Sequence, residues 1–109
     1  MNSNNFQEYY KEGNKFLKSN EFEKAISFFD KAINIHPNIE AFWQRGYAFR
    51  KLRRYAEALN DFQSAILINP KISNSYAQVA MVFMDLEDYQ VSIEYLSKAC
   101  VIKKKSKFC

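Results

Sequence analysis

Two glycines and two prolines in 109 residues leave little material for tight hairpin turns, and no stretch alternates apolar with polar residues long enough to read as a strand. A sheet is therefore not expected, and helices must carry the fold. Histidine occurs once, as His36 beside Pro37, with no paired cysteine or glycine-rich phosphate loop near it. No catalytic or metal-ligating constellation can be assembled from such a set, so neither an enzyme activity nor a cofactor is expected. No run approaches the roughly 18 apolar residues of a membrane span, and Met1 to Asn5 is polar where a secretory signal would be apolar. The expected compartment is the cytoplasm. Cysteine is also scarce. Cys100 falls in an apolar helical stripe and Cys109 is the final residue, which reads as two reduced thiols, and a prenylation signal would need three further residues after Cys109.

The body of the chain carries no net charge. Basic residues outnumber acidic ones 16 to 12, but Lys103, Lys104, Lys105 and Lys107 account for the whole excess of +4. A neutral body lacks the attraction that supplies most nucleic-acid affinity, and no aromatic ring lies between those lysines for base stacking. Nucleic acid is not the expected partner. What the chain does have is apolar material, 48% hydrophobic and 17% aromatic, enough for one core over residues 1–109 with a basic tail at 103–109.

That material repeats. Gly13 and Gly46, Ala25 and Ala58, Phe29 and Phe62, Ala32 and Ala65, and Pro37 and Pro70 each lie 33 residues apart. A weaker third copy places Tyr76, Ala80, Phe83, Leu96 and Ala99 each 34 residues after Phe42, Gly46, Phe49, Phe62 and Ala65. Within each copy, apolar residues recur at spacings of three and four on two successive segments, so each copy is a helical pair. The expected units are about 6–38, 39–72 and 73–106, with helices over 6–18, 22–35, 40–51, 55–68, 73–85 and 89–102. Pro37 and Pro70 end the second helix of a pair, and Ser73 is expected to cap the fifth helix. A period of this size means an all-α solenoid of three antiparallel helix pairs, each leaning on its neighbour to bury its apolar face. Glycine inside a helix costs roughly 1 kcal/mol relative to alanine. Gly13 and Gly46 are expected to offset that cost by making room for Phe29 and Phe62, with Ala80 in the same role in the third unit.

The series Tyr9, Gly13, Phe16, Ala25, Phe29, Ala32, Pro37 and its second copy Phe42, Gly46, Phe49, Ala58, Phe62, Ala65, Pro70 resembles the tetratricopeptide repeat family over about residues 6–105. Glu12 and Arg45 stand where that family usually has leucine, Ser92 replaces the first alanine of the third copy, and Lys104 stands at the proline position. The resemblance implies a right-handed superhelix and a non-catalytic protein–protein interaction module, an adaptor or scaffold. It also implies that the first helix of each pair lines a concave groove holding a peptide segment of a partner. The implied lining is Tyr10, Asn14 and Leu17 from the first unit, Trp43, Gln44, Tyr47 and Arg50 from the second, and Asn74, Gln78, Met81 and Met84 from the third.

Trp43 and Tyr47, four apart on one helix face, are expected to meet the peptide opposite Met81 and Met84, the alternative being that Trp43 packs between units; Arg50, Lys51, Arg53 and Arg54 form either a solvated turn, the favoured reading, or a positive rim for an acidic partner. One alternative is an RNA-binding helical repeat such as the pentatricopeptide type, which has a slightly longer period and a basic groove. Another is a co-chaperone, because Lys11-Glu12-Gly13-Asn14-Lys15 resembles domains that clamp the C-terminal carboxylate of heat-shock chaperones. At the matching clamp positions this chain has Tyr10, Asn14, Gln44, Asn74 and Gln78, without the basic members, so an intact clamp is not expected. After Ile102 only Lys103 to Cys109 follow, too little for a capping helix. Self-association through an uncapped face with Tyr95, Leu96 and Ala99, or a missing C-terminal part, is expected.

Overall fold

The computed structural model describes residues 4–104; Lys105, Lys107 and Cys109 lie outside the described residues. Among those residues there are six α-helices and no strand: α1 (Asn4–Lys18), α2 (Phe22–Ile35), α3 (Ile39–Lys51), α4 (Tyr55–Ile68), α5 (Ser73–Asp85) and α6 (Tyr89–Lys104). The chain folds as hairpins α1·α2, α3·α4 and α5·α6, and α2 packs on α3 as α4 packs on α5. The first helices also touch one another, α1 with α3 and α3 with α5, while α2 and α4, and α4 and α6, do not. The stack is therefore curved, with α1, α3 and α5 on its inner side.

Within each hairpin the turn is the same. Asn20, Arg53 and Glu87 adopt left-handed φ values of 61°, 64° and 62°. The next amide in each case bonds back over the helix end, Glu21 to the Phe16 carbonyl, Arg54 to that of Phe49 and Asp88 to that of Phe83. This arrangement satisfies orphan carbonyls at a helix C-terminus and normally recruits glycine. At the start of α3, the Asn38 side chain accepts from the Ala41 amide at 3.0 Å. The cap expected at Ser73 is not formed: Ser73 is the first helical residue, and Ile72 precedes it without a side-chain bond. Helix α6 runs to Lys104, because lysine at the proline position does not interrupt it.

Packing explains the repeat. Phe29 and Phe62 are wholly buried, and a Cβ on Gly13 or Gly46 would stand 2.6 Å from the Cε1 of the facing ring. In the third unit Ala80 is buried, and the Ser92 hydroxyl donates to its carbonyl at 3.0 Å. That bond lets a polar residue occupy the place of Ala25 and Ala58. Two expectations at the C-terminal end need correction. Ala99 is buried and Tyr95 is half-buried, stacked on Phe83 at 6.0 Å, so of the face named from the sequence only Leu96 is exposed. Cys100 is disulfide-bonded, not a reduced thiol, which removes the support that free thiols lent to a reducing compartment.

Candidate functional site

Several of the predicted lining residues are engaged in side-chain bonds across unit boundaries. Asn14 and Gln44 join α1 to α3, the Gln44 amide donating to Asn14 Oδ1 at 2.7 Å. Trp43 and Ser75 join α3 to α5, the indole N–H donating to the hydroxyl at 2.9 Å. Arg50 grips Asp85 with Nε at 2.6 Å and Nη2 at 3.2 Å, a second link between α3 and α5. The first two links pair part-buried polar groups, and all three tie neighbouring inner helices together.

Trp43 is accordingly half-buried against the core and works as a brace between units. Ser75, which anchors it, carries no signal in the sequence beyond being the serine 34 residues after Ala41, at a wholly buried position. Tyr47 is half-buried, its ring edge-on to Phe22 at 6.4 Å and Lys51 over it at 5.9 Å. Leu17 packs on the core. Tyr10 stacks on Phe6 at 5.8 Å and shares an open concavity along α1 with Gln7, Lys11, Asn14 and Lys18. On α5, Asn74 is exposed and Gln78 half-buried, while Met81 and Met84 are 39% and 40% exposed. These two methionines are the accessible apolar groups of the third unit's inner helix.

Two of the four rim cations, Arg50 and Arg54, are paired with carboxylates. Besides the Arg50–Asp85 pair, Arg54 donates to both oxygens of Glu57 at 2.8 Å and approaches Glu23 at 3.6 Å. The hydrogen bonds from Arg54 hold the Glu57 carboxyl below its ordinary value.

Arg45, at the position where leucine is usual, turns away from the groove into a partly buried ion cluster. Its Nε and Nη2 meet Asp61 at 2.9 and 2.7 Å, and its Nη1 meets Asp30 at 2.8 Å. Asp61 is only 2% exposed, and burial pushes its carboxyl up against the opposing pull of Arg45. The cluster has a clear origin in the repeat. Phe16 stacks on Phe28 in the first unit and Phe83 on Tyr95 in the third, whereas in the second unit Asp61 stands where those partners would be. The Arg45 guanidinium fills that space, lying 5.8 Å from the rings of both Phe42 and Phe49.

A curved stack of helical hairpins with a braced inner face defines a helical-repeat binding domain. The chain belongs to the tetratricopeptide repeat family, a family of protein–protein interaction modules, whose models match residues 6–39, 39–72 and 73–106. Solved structures agree on the fold. The TPR2B domain of yeast Sti1, in complex with pHsp70, superposes with a TM-score of 0.87 at 22% identity, over 94% of this chain and 83% of that one. The first TPR of Spaghetti (RPAP3), bound to the HSP90 peptide SRMEEVD, gives 0.84 at 19% identity over 95% and 83%. MamA gives 0.86 at 20% identity over 94% of this chain, which spans 61% of the length of MamA. No curated protein matches the sequence significantly. No helix among the described residues is long and apolar enough to cross a membrane.

Proposed function

We propose that this chain is a non-catalytic, cytoplasmic adaptor that holds an apolar peptide segment of a partner protein against α3 and α5. The reading rests on Met81 and Met84, 39% and 40% exposed on α5, and on the half-buried rings of Trp43 and Tyr47 on the neighbouring inner helix α3. Methionine adapts to varied apolar side chains, and aromatic rings anchor them at low entropic cost. Asn14, Gln44, Arg50 and Asp85 serve to keep the groove preorganised, which lowers the ordering cost of binding. Asn74, Gln78 and Tyr10 supply the polar edges.

Chaperone-tail recognition is the second reading, supported by the chaperone peptides bound to the similar domains of RPAP3 and Sti1. Against it stand the amides in place of clamp cations and the mutual hydrogen bond of Asn14 and Gln44. A two-carboxylate ligand needs several converging cations, so the apolar segment is the better supported ligand. RNA binding has less behind it, since Arg50 and Arg54 are committed to carboxylates.

Selection from a random displayed-peptide library tests the reading. Peptides rich in large apolar residues are expected, binding at least about tenfold more weakly to Met81→Lys/Met84→Lys, the loss of roughly 1.4 kcal/mol. Enrichment of acidic C-terminal sequences, or affinity untouched by the double substitution, would contradict it.

A further inference from the structure

We propose that the cleft where α1, α2 and α3 meet binds a basic side chain of the partner segment, arginine before lysine, against aromatic rings and the carboxylate of Glu40. The proposal deepens the groove reading and rests on it only for what carries the basic side chain; the cleft has its own geometry. Phe6 and Tyr10 line it from α1, Ile35 and His36 from the end of α2, and Glu40 from the first turn of α3. Phe6 stacks on Tyr10 at 5.8 Å with the planes 11° apart, and the His36 ring meets Phe6 edge-on at 5.4 Å. The wholly buried Phe29 backs Tyr10 at 5.9 Å, so the core holds these rings in place. Asn38 fixes the rest. Its side chain donates to the His36 carbonyl at 3.0 Å and accepts from the Ala41 amide at 3.0 Å, tying the end of α2 to the turn that carries Glu40.

Charge selects the occupant. Among the described residues, Glu40 is the only carboxylate in the lining, no lysine or arginine accompanies it, and no ion pair or hydrogen bond engages its side chain. An acidic partner would be repelled there, and a purely apolar one would bury the carboxylate unpaired. A basic side chain lays its apolar stem on Ile35, which is 45% exposed, and sets its charge against the rings and Glu40 together. Arginine suits the site better than lysine, because its planar guanidinium stacks on rings and offers a carboxylate two N–H groups at once. The repeat supplies a control. At the next unit boundary the corresponding residues are Ile39, Trp43, Ile68, Asn69 and Asn74, so two rings and the carboxylate are gone, and the indole is bonded to Ser75. The cation site is therefore particular to the first boundary and not a consequence of the fold. Glu40 stands about one helical turn before Trp43 on α3, so one segment reaches the cleft and the groove together.

Two measurements on the full chain test this, with circular dichroism as the folding control. In the first, acetyl-arginine methylamide is titrated into the isotopically labelled chain and followed by NMR. Saturable shifts are expected at Phe6, Tyr10, His36 and Glu40, and acetyl-norleucine methylamide, an apolar stem without the charge, should bind about tenfold more weakly. Glu40→Gln, at an exposed position, should weaken the arginine probe by a similar factor. Shifts that bypass the cleft, or an affinity untouched by Glu40→Gln, overturn the proposal. In the second, peptides selected on the wild-type chain are expected to carry an arginine or lysine beside their apolar residues. Replacing it by glutamine should cost far less on Glu40→Gln than on wild type. Apolar peptides without a basic residue that still depend on Met81 and Met84 overturn the cation site and leave the groove reading standing. The arginine probe bound in the cleft, with no apolar peptide selected, does the reverse.

Discussion

The ring of Phe62 occupies the space that a side chain on Gly46 would need, its Cε1 lying 2.6 Å from where a Cβ would stand. Because Phe62 is wholly buried, the ring has nowhere to retreat. Gly46→Ala is therefore expected to destabilise by about 1–2 kcal/mol, the overpacking cost exceeding the helix propensity gained. Adding Phe62→Leu, the residue type at the matching position of the third unit, should recover part of the loss. Urea unfolding of the four proteins measures the coupling; simple additivity would contradict the contact.

Arg45→Leu restores the residue usual for the family yet is expected to cost about 3 kcal/mol, because it strands Asp61 in a buried site. Arg45→Leu/Asp61→Leu should regain most of that loss, since no unpaired charge then remains. Thermal unfolding of single and double variants checks the order; a double variant no better than the single one would contradict it.

The same single variant makes a prediction in pH. Without Arg45, burial acts on Asp61 unopposed, with the charges of Asp30 and Glu57 adding to it, and raises its folded carboxyl further above the unfolded value of about 3.9. A group raised on folding contributes its stability below the unfolded value and loses it as pH rises through the folded one. The deficit of Arg45→Leu against wild type should therefore be smallest near pH 4 and grow toward pH 7. A deficit constant over that range would show that Asp61 is not the group left stranded.

Much of this architecture was legible in the sequence, because a solenoid writes its packing as a period. The bounds of α2, α4 and α5 and the contacts of Gly13 with Phe29 and Gly46 with Phe62 follow from spacing alone. The ion cluster did not, since Asp30 and Asp61 lie 15 and 16 residues from Arg45, Asp61 meeting it across the α3·α4 hairpin and Asp30 only once that hairpin has stacked on α2. Trp43 shows the limit for the site. Its place on the inner helix was readable, but its anchor Ser75 lies 32 residues away on a helix whose rotation against α3 no local pattern records. For the same reason the sequence put Tyr95 and Ala99, and not Tyr89 and Ile93, on the exposed side of α6.

The left-handed residue in the second hairpin turn offers an independent check on the backbone. Arg53 holds φ at 64°, where a Cβ costs roughly 1–2 kcal/mol and glycine costs nothing sterically. After the extra unfolded-state entropy of glycine, Arg53→Gly should still stabilise by about 0.5 kcal/mol. A lower unfolding midpoint would mean that the turn is not left-handed at this position.

Trp43→Phe separates bracing from binding. Loss of the indole N–H leaves the buried Ser75 hydroxyl without its donor and should cost about 1–2 kcal/mol of stability. Trp43→Phe/Ser75→Ala removes both partners and should recover part of it. No stability change in the single variant would contradict the brace.

The most direct test of the central claim is to map a selected peptide onto the isotopically labelled chain by NMR. Shift changes are predicted along the inner helices, strongest at Met81 and Met84 and extending to Tyr47, Gln78 and Tyr10. Changes confined to α2, α4 and α6, with both methionine methyl signals unmoved, would contradict the groove as the binding surface.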